Sequence, residues 1–218
     1  MRKIQFANHE YYHVLNRGVD KREIFLEYDD LSRFFQSMEE FNTIEPIGSI
    51  FESSFRQHNF VGGSASKCSK HKRLVNFICY CLNPNHYHFI LEQITDNGIE
   101  KFMHRLGTGY TMFFNKKYDR NGSLFQGRYK AIHIDSNEYL LHLSVYVNLN
   151  NKVHQLESPV SKFRSKSSWE EYVNNLDGFC KKDIILNQFG NMSKYQEFAE
   201  NSLKIILERK ELEKLLLE

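Results

Sequence analysis

Strand-like runs and helix-like spacings of apolar residues alternate along the first two thirds of the chain. Residues 11–16 (YYHVLN) and 74–82 (LVNFICYCL) have the composition of strands. Residues 86–93 (HYHFILEQ) follow the second run after the turn sequence NPN, so these two segments are predicted to form a hairpin. A further strand is predicted around residues 128–134.

Apolar residues at helical spacing predict three helices between and after these strands. They cover residues 31–44, 98–118 and 137–150, and Ser136 can cap the third. The resulting order is strand, helix, strand, strand, helix, strand, helix. This order predicts an α+β fold in which a ferredoxin-like (RRM-like) antiparallel sheet carries helices on one face.

Two segments lie outside this core pattern. Residues 46–73 are rich in glycine, serine and basic residues, and we interpret them as a mobile insertion. Beyond residue 155 the chain continues through a polar linker to an amphipathic helix that starts near residue 193. We therefore expect a domain of residues 1–155, with the insertion at 46–73, and a C-terminal helical extension of residues 156–218.

Composition narrows the class of protein only slightly. A chain of 218 residues suits one domain, or one domain with an appendage, and a net charge of +2 permits nucleic-acid binding without requiring it. The four cysteines show no regular framework, which predicts reduced cytoplasmic thiols. No apolar run reaches the length of a membrane span, and the N-terminal residues do not resemble a signal peptide.

Two histidines in the second hairpin strand are the first candidate for chemistry. Residues i and i+2 of a strand point to the same side, so His86 and His88 present two imidazoles to one face. Tyr87 and Phe89 are predicted to point to the other face. Two imidazoles make half of a metal site. The alternative interpretation is a pair of hydrogen-bonded histidines at a strand edge.

The helix of residues 137–150 carries a polar stripe. Because residues four apart share a helix face, His142, Tyr146 and Asn150 are predicted to lie together. Taken singly, each has an ordinary structural interpretation: the tyrosine packs, and the asparagine ends the helix.

Four segments together resemble a known family. YYHVLNRGVDKREIF, YCLNPNHYHFILEQ, YTMFFNKKYDRNGSLFQGRYKA and YVNLNN occur in the order seen in single-tyrosine HUH transposases. Within that IS200-like superfamily, residues 4–155 most resemble the REP-associated tyrosine transposases. The resemblance implies that His86 and His88 are metal ligands, Tyr146 is the nucleophile and Asn150 is a third, amide-type ligand. Asn148 and Asn151 depart from the family, which more often has histidine or tyrosine and then proline there.

The resemblance also implies a reaction and its participants. The expected cofactor is a divalent Mg²⁺ or Mn²⁺ ion, and the expected substrate is single-stranded DNA with a hairpin, cleaved and rejoined through a 5′-phosphotyrosine intermediate. A cytoplasmic, nucleoid-associated bacterial protein without membrane contact is expected. Relatives include monomers and homodimers, so the sequence leaves both states open. The basic side chains available for phosphates are Arg17, Lys21, Arg22, Arg128 and Lys130.

Two other functions are compatible with parts of the sequence. The first is a non-catalytic module with an RRM-like fold that binds single-stranded nucleic acid, which would need neither the histidine pair nor Tyr146. The second is a zinc protein whose ligands would be Cys68, His71, Cys79 and Cys81.

Overall fold

A five-stranded antiparallel sheet forms the centre of the protein. The computed structural model describes residues 4–48, 50, 72–154, 165–174 and 176–215. The strands are β1 (Tyr11–Arg17), β2 (Val75–Asn83), β3 (His86–Gln93), β4 (Lys130–Ile134) and β5 (Lys166–Ser167). They lie in the order β4-β1-β3-β2-β5, and every neighbouring pair is antiparallel. The predicted α+β class with an antiparallel sheet is confirmed.

Helices connect the strands in the predicted order. They are α1 (Tyr28–Glu40), α2 (Gly98–Lys117), α3 (Asn137–Asn148), α4 (Asn150–Val153), α5 (Trp169–Val173), α6 (Asp183–Leu186) and α7 (Met192–Leu215). Helix α1 joins β1 to β2 and α2 joins β3 to β4, which is the ferredoxin-like connection. The short strand β5 extends the sheet at its β2 edge. None of the described helices is both long enough and apolar enough to cross a membrane.

The sheet separates two apolar clusters. On one face, alternate residues of β3 such as Tyr87 and Phe89 pack with α1 and α2, as the periodicity predicts. The opposite face packs against α3 and the C-terminal helices through Ile90, Cys79 and Cys81. The crossover helices therefore lie on one face, and α3 together with the C-terminal extension covers the other.

A β-bulge in β2 sets which side chains reach the α3 face. The pairing of β2 with β3 shifts between Phe77 and Cys79. Phe77 packs in the α1–α2 cluster, whereas Cys79 and Cys81 pack in the α3 cluster. Because alternation continues from Cys81, Asn83 also turns toward α3, and its amide lies within hydrogen-bonding distance of Asn150.

The C-terminal extension is bonded directly to α3. Asn148, one of the two departures from the family pattern, is fully buried and donates from Nδ2 to the Tyr195 hydroxyl of α7 at 3.1 Å. Its Oδ1 accepts from the Ser168 hydroxyl at 2.6 Å, immediately before α5. Asn148 therefore links α3 to two elements of the extension.

The helix predicted from near residue 193 corresponds to α7, whose leucines Leu203 and Leu212 follow helical spacing but are not both packed. Leu203 packs against the α3 cluster, but Leu212 is 59% exposed. Tyr195 and Ala199 are fully buried and dominate the contact. Most of the predicted insertion, residues 49 and 51–71, lies outside the described residues.

Candidate active site

The site begins at the tight turn between β2 and β3. Asn83 pairs with His86 across a two-residue turn of Pro84 and Asn85. The turn predicted from the sequence NPN is therefore present. It places three polar side chains at one end of the sheet, those of Asn83, Asn85 and His86.

The loop after β1 closes against this turn. The Gly18 N–H donates to the Asn85 carbonyl at 2.8 Å, and β1 pairs Arg17 with His86. A Cβ at Gly18 would lie 2.1 Å from the Arg22 carbonyl oxygen, so only glycine fits there. The close approach brings the basic end of β1 beside the first candidate ligand.

The hydrogen bonds of His86 determine which of its ring nitrogens carries the proton. Its Nδ1 lies 2.6 Å from Asn85 Oδ1, and Asn85 Nδ2 donates to the Lys21 carbonyl at 3.2 Å, so the amide oxygen faces the ring. Nδ1 therefore carries the proton, and Nε2 has the lone pair.

Asn150 adds a second lone-pair atom at the same place. Its Oδ1 lies 3.1 Å from His86 Nε2. Asn83 Nδ2 donates to both acceptors, at 2.9 Å to His86 and 2.8 Å to Asn150. Asn150 is fully buried, and its Nδ2 has no hydrogen-bond partner among the described residues. In this structure the two acceptors converge on the Asn83 amide, and a cation shared by them would take the place of that donor.

His88 is held by a histidine that the sequence did not indicate as a site residue. His88 Nδ1 lies 2.9 Å from His13 Nε2, and the two rings lie edge to edge, with centroids 5.1 Å apart and planes inclined by 19°. Both side chains are buried, at 6% and 5% exposure. The rings of His86 and His88 lie 5.2 Å apart and nearly perpendicular. The predicted common face of these two histidines is therefore present.

Tyr146 lies beside these imidazoles. Its half-buried ring meets His88 edge-on at 5.7 Å and His13 at 6.4 Å between centroids. The predicted stripe on α3 is divided, because His142 turns toward α7, where its ring lies 5.1 Å from that of Phe198. Tyr146 and Asn150 thus reach the site, and His142 does not.

A fourth histidine borders the site. His154 follows α4, and its ring lies 5.5 Å from that of His86. Lys210 Nζ of α7 lies 3.2 Å from His154 Nδ1. His154 was not among the residues predicted from the sequence, although its position four residues after Asn150 indicates that the two share a side.

Burial favours the neutral form of His13, His86 and His88, and His154 is more exposed than these three. Desolvation lowers the pKa of His13 to about 4 and, with the neighbouring histidines, lowers the pKa of His88 well below its ordinary value. Desolvation also lowers the pKa of His86, and that of His154 to about 4. Neutral imidazoles retain the lone pairs that metal ligation requires.

The free energy of unfolding is expected to fall as the pH is lowered in metal-free buffer. Below pH 6.5 the unfolded chain protonates its histidines, whereas folded His13 stays neutral down to about pH 4. The unfolded state then binds more protons, so the free energy of unfolding falls over this window, by at most about 3 kcal/mol for His13. Urea unfolding at several pH values measures the fall, and His13→Gln should make it shallower. An unchanged free energy between pH 7 and pH 4.5 would contradict the expectation.

A positively charged cleft opens onto the site. It has a volume of about 680 Å³, and its lining includes His86, His88 and His154 but no aspartate or glutamate. Four of the five basic residues predicted to contact DNA line it, namely Arg17, Lys21, Arg128 and Lys130. The fifth, Arg22, lies outside the lining and 4.0 Å from Asp20.

The cysteine thiols of the alternative zinc site are less suited to bind a metal than the imidazoles and the amide described above. Cys79 and Cys81 are buried in the apolar α3 cluster, and burial raises the pKa of Cys81 to about 12. Zinc binds thiolates, which such burial disfavours. Cys68 and His71 lie outside the described residues, within which no group of three or more His, Cys, Asp or Glu side chains is placed to hold a metal. The candidate set is therefore two imidazoles and an amide oxygen.

A known protein family matches the part of the chain that carries this site. Residues 59–150 match the family described as "Transposase IS200 like", a range that contains His86, His88, Tyr146 and Asn150. The resemblance predicted from the sequence is confirmed. No curated protein matches the chain.

A solved structure of a REP-associated tyrosine transposase bound to a REP hairpin resembles this chain with a TM-score of 0.51. The identity is 12%, over 84% of this chain and 89% of the other, so the likeness shows a common fold.

Proposed function

We propose that the protein is a metal-dependent transposase that cleaves and rejoins single-stranded DNA through a 5′-phosphotyrosine on Tyr146. One observation carries the proposal: a tyrosine ring lies 5.7 Å from the ring of His88, at a place where His86 Nε2 and Asn150 Oδ1 converge and a basic cleft opens. A binding module would not require that combination. The match to the IS200-like transposases supports it.

The chemistry of the donor atoms fits a divalent cation. His86, His88 and Asn150 would hold it, and mixed nitrogen and oxygen ligands suit Mn²⁺ or Mg²⁺. His86 Nε2 and Asn150 Oδ1 lie 3.1 Å apart. This is close to the separation of two adjacent ligands that each bind one ion at about 2.1 Å. Such an ion, when bound, offsets negative charge at a non-bridging phosphate oxygen.

Tyr146 supplies the nucleophile. An ordinary tyrosine hydroxyl has a pKa of about 10 and attacks only after it loses its proton. Its oxygen forms a bond to phosphorus, the bond from phosphorus to the 3′ oxygen breaks, and the 3′ oxygen takes up a proton. The product is a 5′-phosphotyrosine and a free 3′ hydroxyl. Because the phosphodiester energy is conserved, the reverse attack rejoins a strand without ATP.

The basic cleft would direct the strand to Tyr146. Arg17, Lys21, Arg128 and Lys130 line it and are available for phosphates. A second cavity of about 490 Å³ shares Arg128 with the cleft and is lined by aromatic residues such as Tyr129, on which bases can stack. The similar transposase was solved with a REP hairpin, which supports a hairpin-containing, REP-like substrate here.

We further propose that the protein acts on bacterial DNA in the cytoplasm. Residues 1–155 would carry catalysis, and the extension of residues 156–218, whose helix α7 packs on α3, would support them.

Neutralising one cation of the cleft is expected to weaken binding in a salt-dependent way. Arg128→Gln or Lys130→Gln should lower the slope of log K against log salt by about one, since each phosphate contact releases roughly one counterion. Fluorescence anisotropy of a labelled hairpin with a single-stranded tail, measured at several salt concentrations, gives the slope. Lys101→Gln, at the opposite end of the sheet, should leave it unchanged. If all three variants gave the same slope, the DNA phosphates would not contact Arg128 or Lys130.

A direct experiment tests the reaction. The protein is incubated with a library of single-stranded DNA hairpins and Mn²⁺, and the products are separated on a denaturing gel. A covalent adduct supports the proposal. Hairpin binding with no adduct from any member would instead identify the non-catalytic RRM-like module.

A further inference from the structure

We infer that His13 of β1 is a positioning residue that fixes the tautomer and ring orientation of His88. The inference rests on the proposed function, because it concerns how His88 is prepared to bind a cation. It adds a residue that lies outside the matched range of residues 59–150.

The backbone sets the distance between the two rings. Strands β1 and β3 pair with His13 opposite Ile90 and Leu15 opposite His88, so the two histidines are diagonal neighbours on one face. Their nitrogens, His13 Nε2 and His88 Nδ1, lie 2.9 Å apart, and the ring planes are inclined by only 19°. Both side chains are buried, so bulk water does not replace this bond.

The proton in this bond has two possible positions. Two neutral imidazoles share one proton between His13 Nε2 and His88 Nδ1. If His88 is to present Nε2 to a cation, its Nδ1 must carry the proton and donate it to His13. His13 then accepts at Nε2 and keeps its own proton on Nδ1. An acceptor behind the ligating ring is the usual way in which proteins fix such a histidine.

His86 shows the same arrangement independently. Its Nδ1 donates to Asn85 Oδ1, which leaves Nε2 with the lone pair beside Asn150. Each of the paired histidines therefore has an outer partner at Nδ1, supplied by Asn85 for His86 and by His13 for His88. The repetition indicates two rings prepared to offer Nε2 to one site.

Metal affinity tests the role without reference to cleavage. Mn²⁺ is titrated into the DNA-free protein, and the free ion is followed by electron paramagnetic resonance. His13→Phe, which keeps the ring but removes the acceptor, should weaken Mn²⁺ binding by about 10- to 100-fold. His13→Gln, whose amide oxygen can accept from His88, should restore most of the affinity. Circular dichroism and hairpin binding show whether each variant is folded.

A measurement on the unaltered protein keeps the inference testable if a variant fails to fold. Nitrogen-15 NMR of the histidine rings, with His88 assigned by comparison with His88→Gln, should show the proton on Nδ1 of His88. A proton on Nε2 would overturn the inference. So would Mn²⁺ affinity that is equal in His13→Phe and in the unaltered protein. If the unaltered protein binds no Mn²⁺, the proposed function itself fails, and that result is distinct from both.

Discussion

Tyr146→Phe is expected to abolish the covalent protein–DNA adduct, a loss of at least about a thousand-fold, while hairpin binding stays unchanged. The substitution removes one oxygen atom and keeps the ring that meets His88 edge-on. The ring is half-buried and its neighbours are unaltered, so the fold and the metal affinity should be retained. Loss of the adduct with retained binding is the result that separates a nucleophile from a packing residue.

Tyr139→Phe is the matched control. Tyr139 lies two turns earlier on the same helix and packs at the edge of the α3 cluster, so this change should leave the adduct intact. Proteolysis of the adduct and mass spectrometry should place the phosphotyrosine at residue 146. An adduct on any of the other eleven tyrosines, or normal cleavage by Tyr146→Phe, would refute the assignment.

Local periodicity predicted the first four strands and the main helices, and it grouped His86 with His88 and Tyr146 with Asn150, whereas the roles of these four residues were implied by the family resemblance. The two-residue repeat of a strand puts His86 and His88 on one face. The four-residue spacing of a helix relates Tyr146 to Asn150, although α3 ends at Asn148 and Asn150 begins α4. Both relations involve residues that are close in the chain, so they can be deduced without knowledge of the neighbouring elements.

Contacts between elements could not be deduced in the same way. His13 meets His88 only because β1 pairs with β3 in one particular register, and a shift by one residue would turn His13 to the other face. Asn83 reaches Asn150 only because a bulge earlier in β2 reverses its facing. Neither the register nor the bulge has a clear local signal in the sequence.

The polar stripe on α3 is divided by a contact between elements. Helical spacing groups His142 with Tyr146, but the packing of α7 against α3 decides their surroundings. His142 meets Phe198 and Ser202 of α7, whereas Tyr146 faces the sheet beside His88. A helix that packs over another can divide one stripe between two environments, and sequence spacing does not show where that division falls.

His88→Ala is expected to remove both Mn²⁺ binding and cleavage. His88 is one of only two imidazoles proposed to hold the cation, so the loss of Mn²⁺ affinity should exceed the 10- to 100-fold expected for an outer partner such as His13. Hairpin binding should survive, because the four cations of the cleft are untouched. The change also leaves a buried cavity beside His13, which should lower stability by about 1–3 kcal/mol.

The design separates loss of the ligand from loss of the fold. Mn²⁺ titration, hairpin binding and thermal unfolding are measured on the same preparation, and His142→Ala serves as the control because His142 turns away from the site toward α7. That control should bind Mn²⁺ and cleave normally. Since the cation would offset charge on the phosphate, EDTA should stop cleavage by the unaltered protein, and added Mn²⁺ should restore it. Cleavage by His88→Ala at the unaltered rate, or cleavage that persists in EDTA, would show that phosphoryl transfer at Tyr146 does not depend on these ligands.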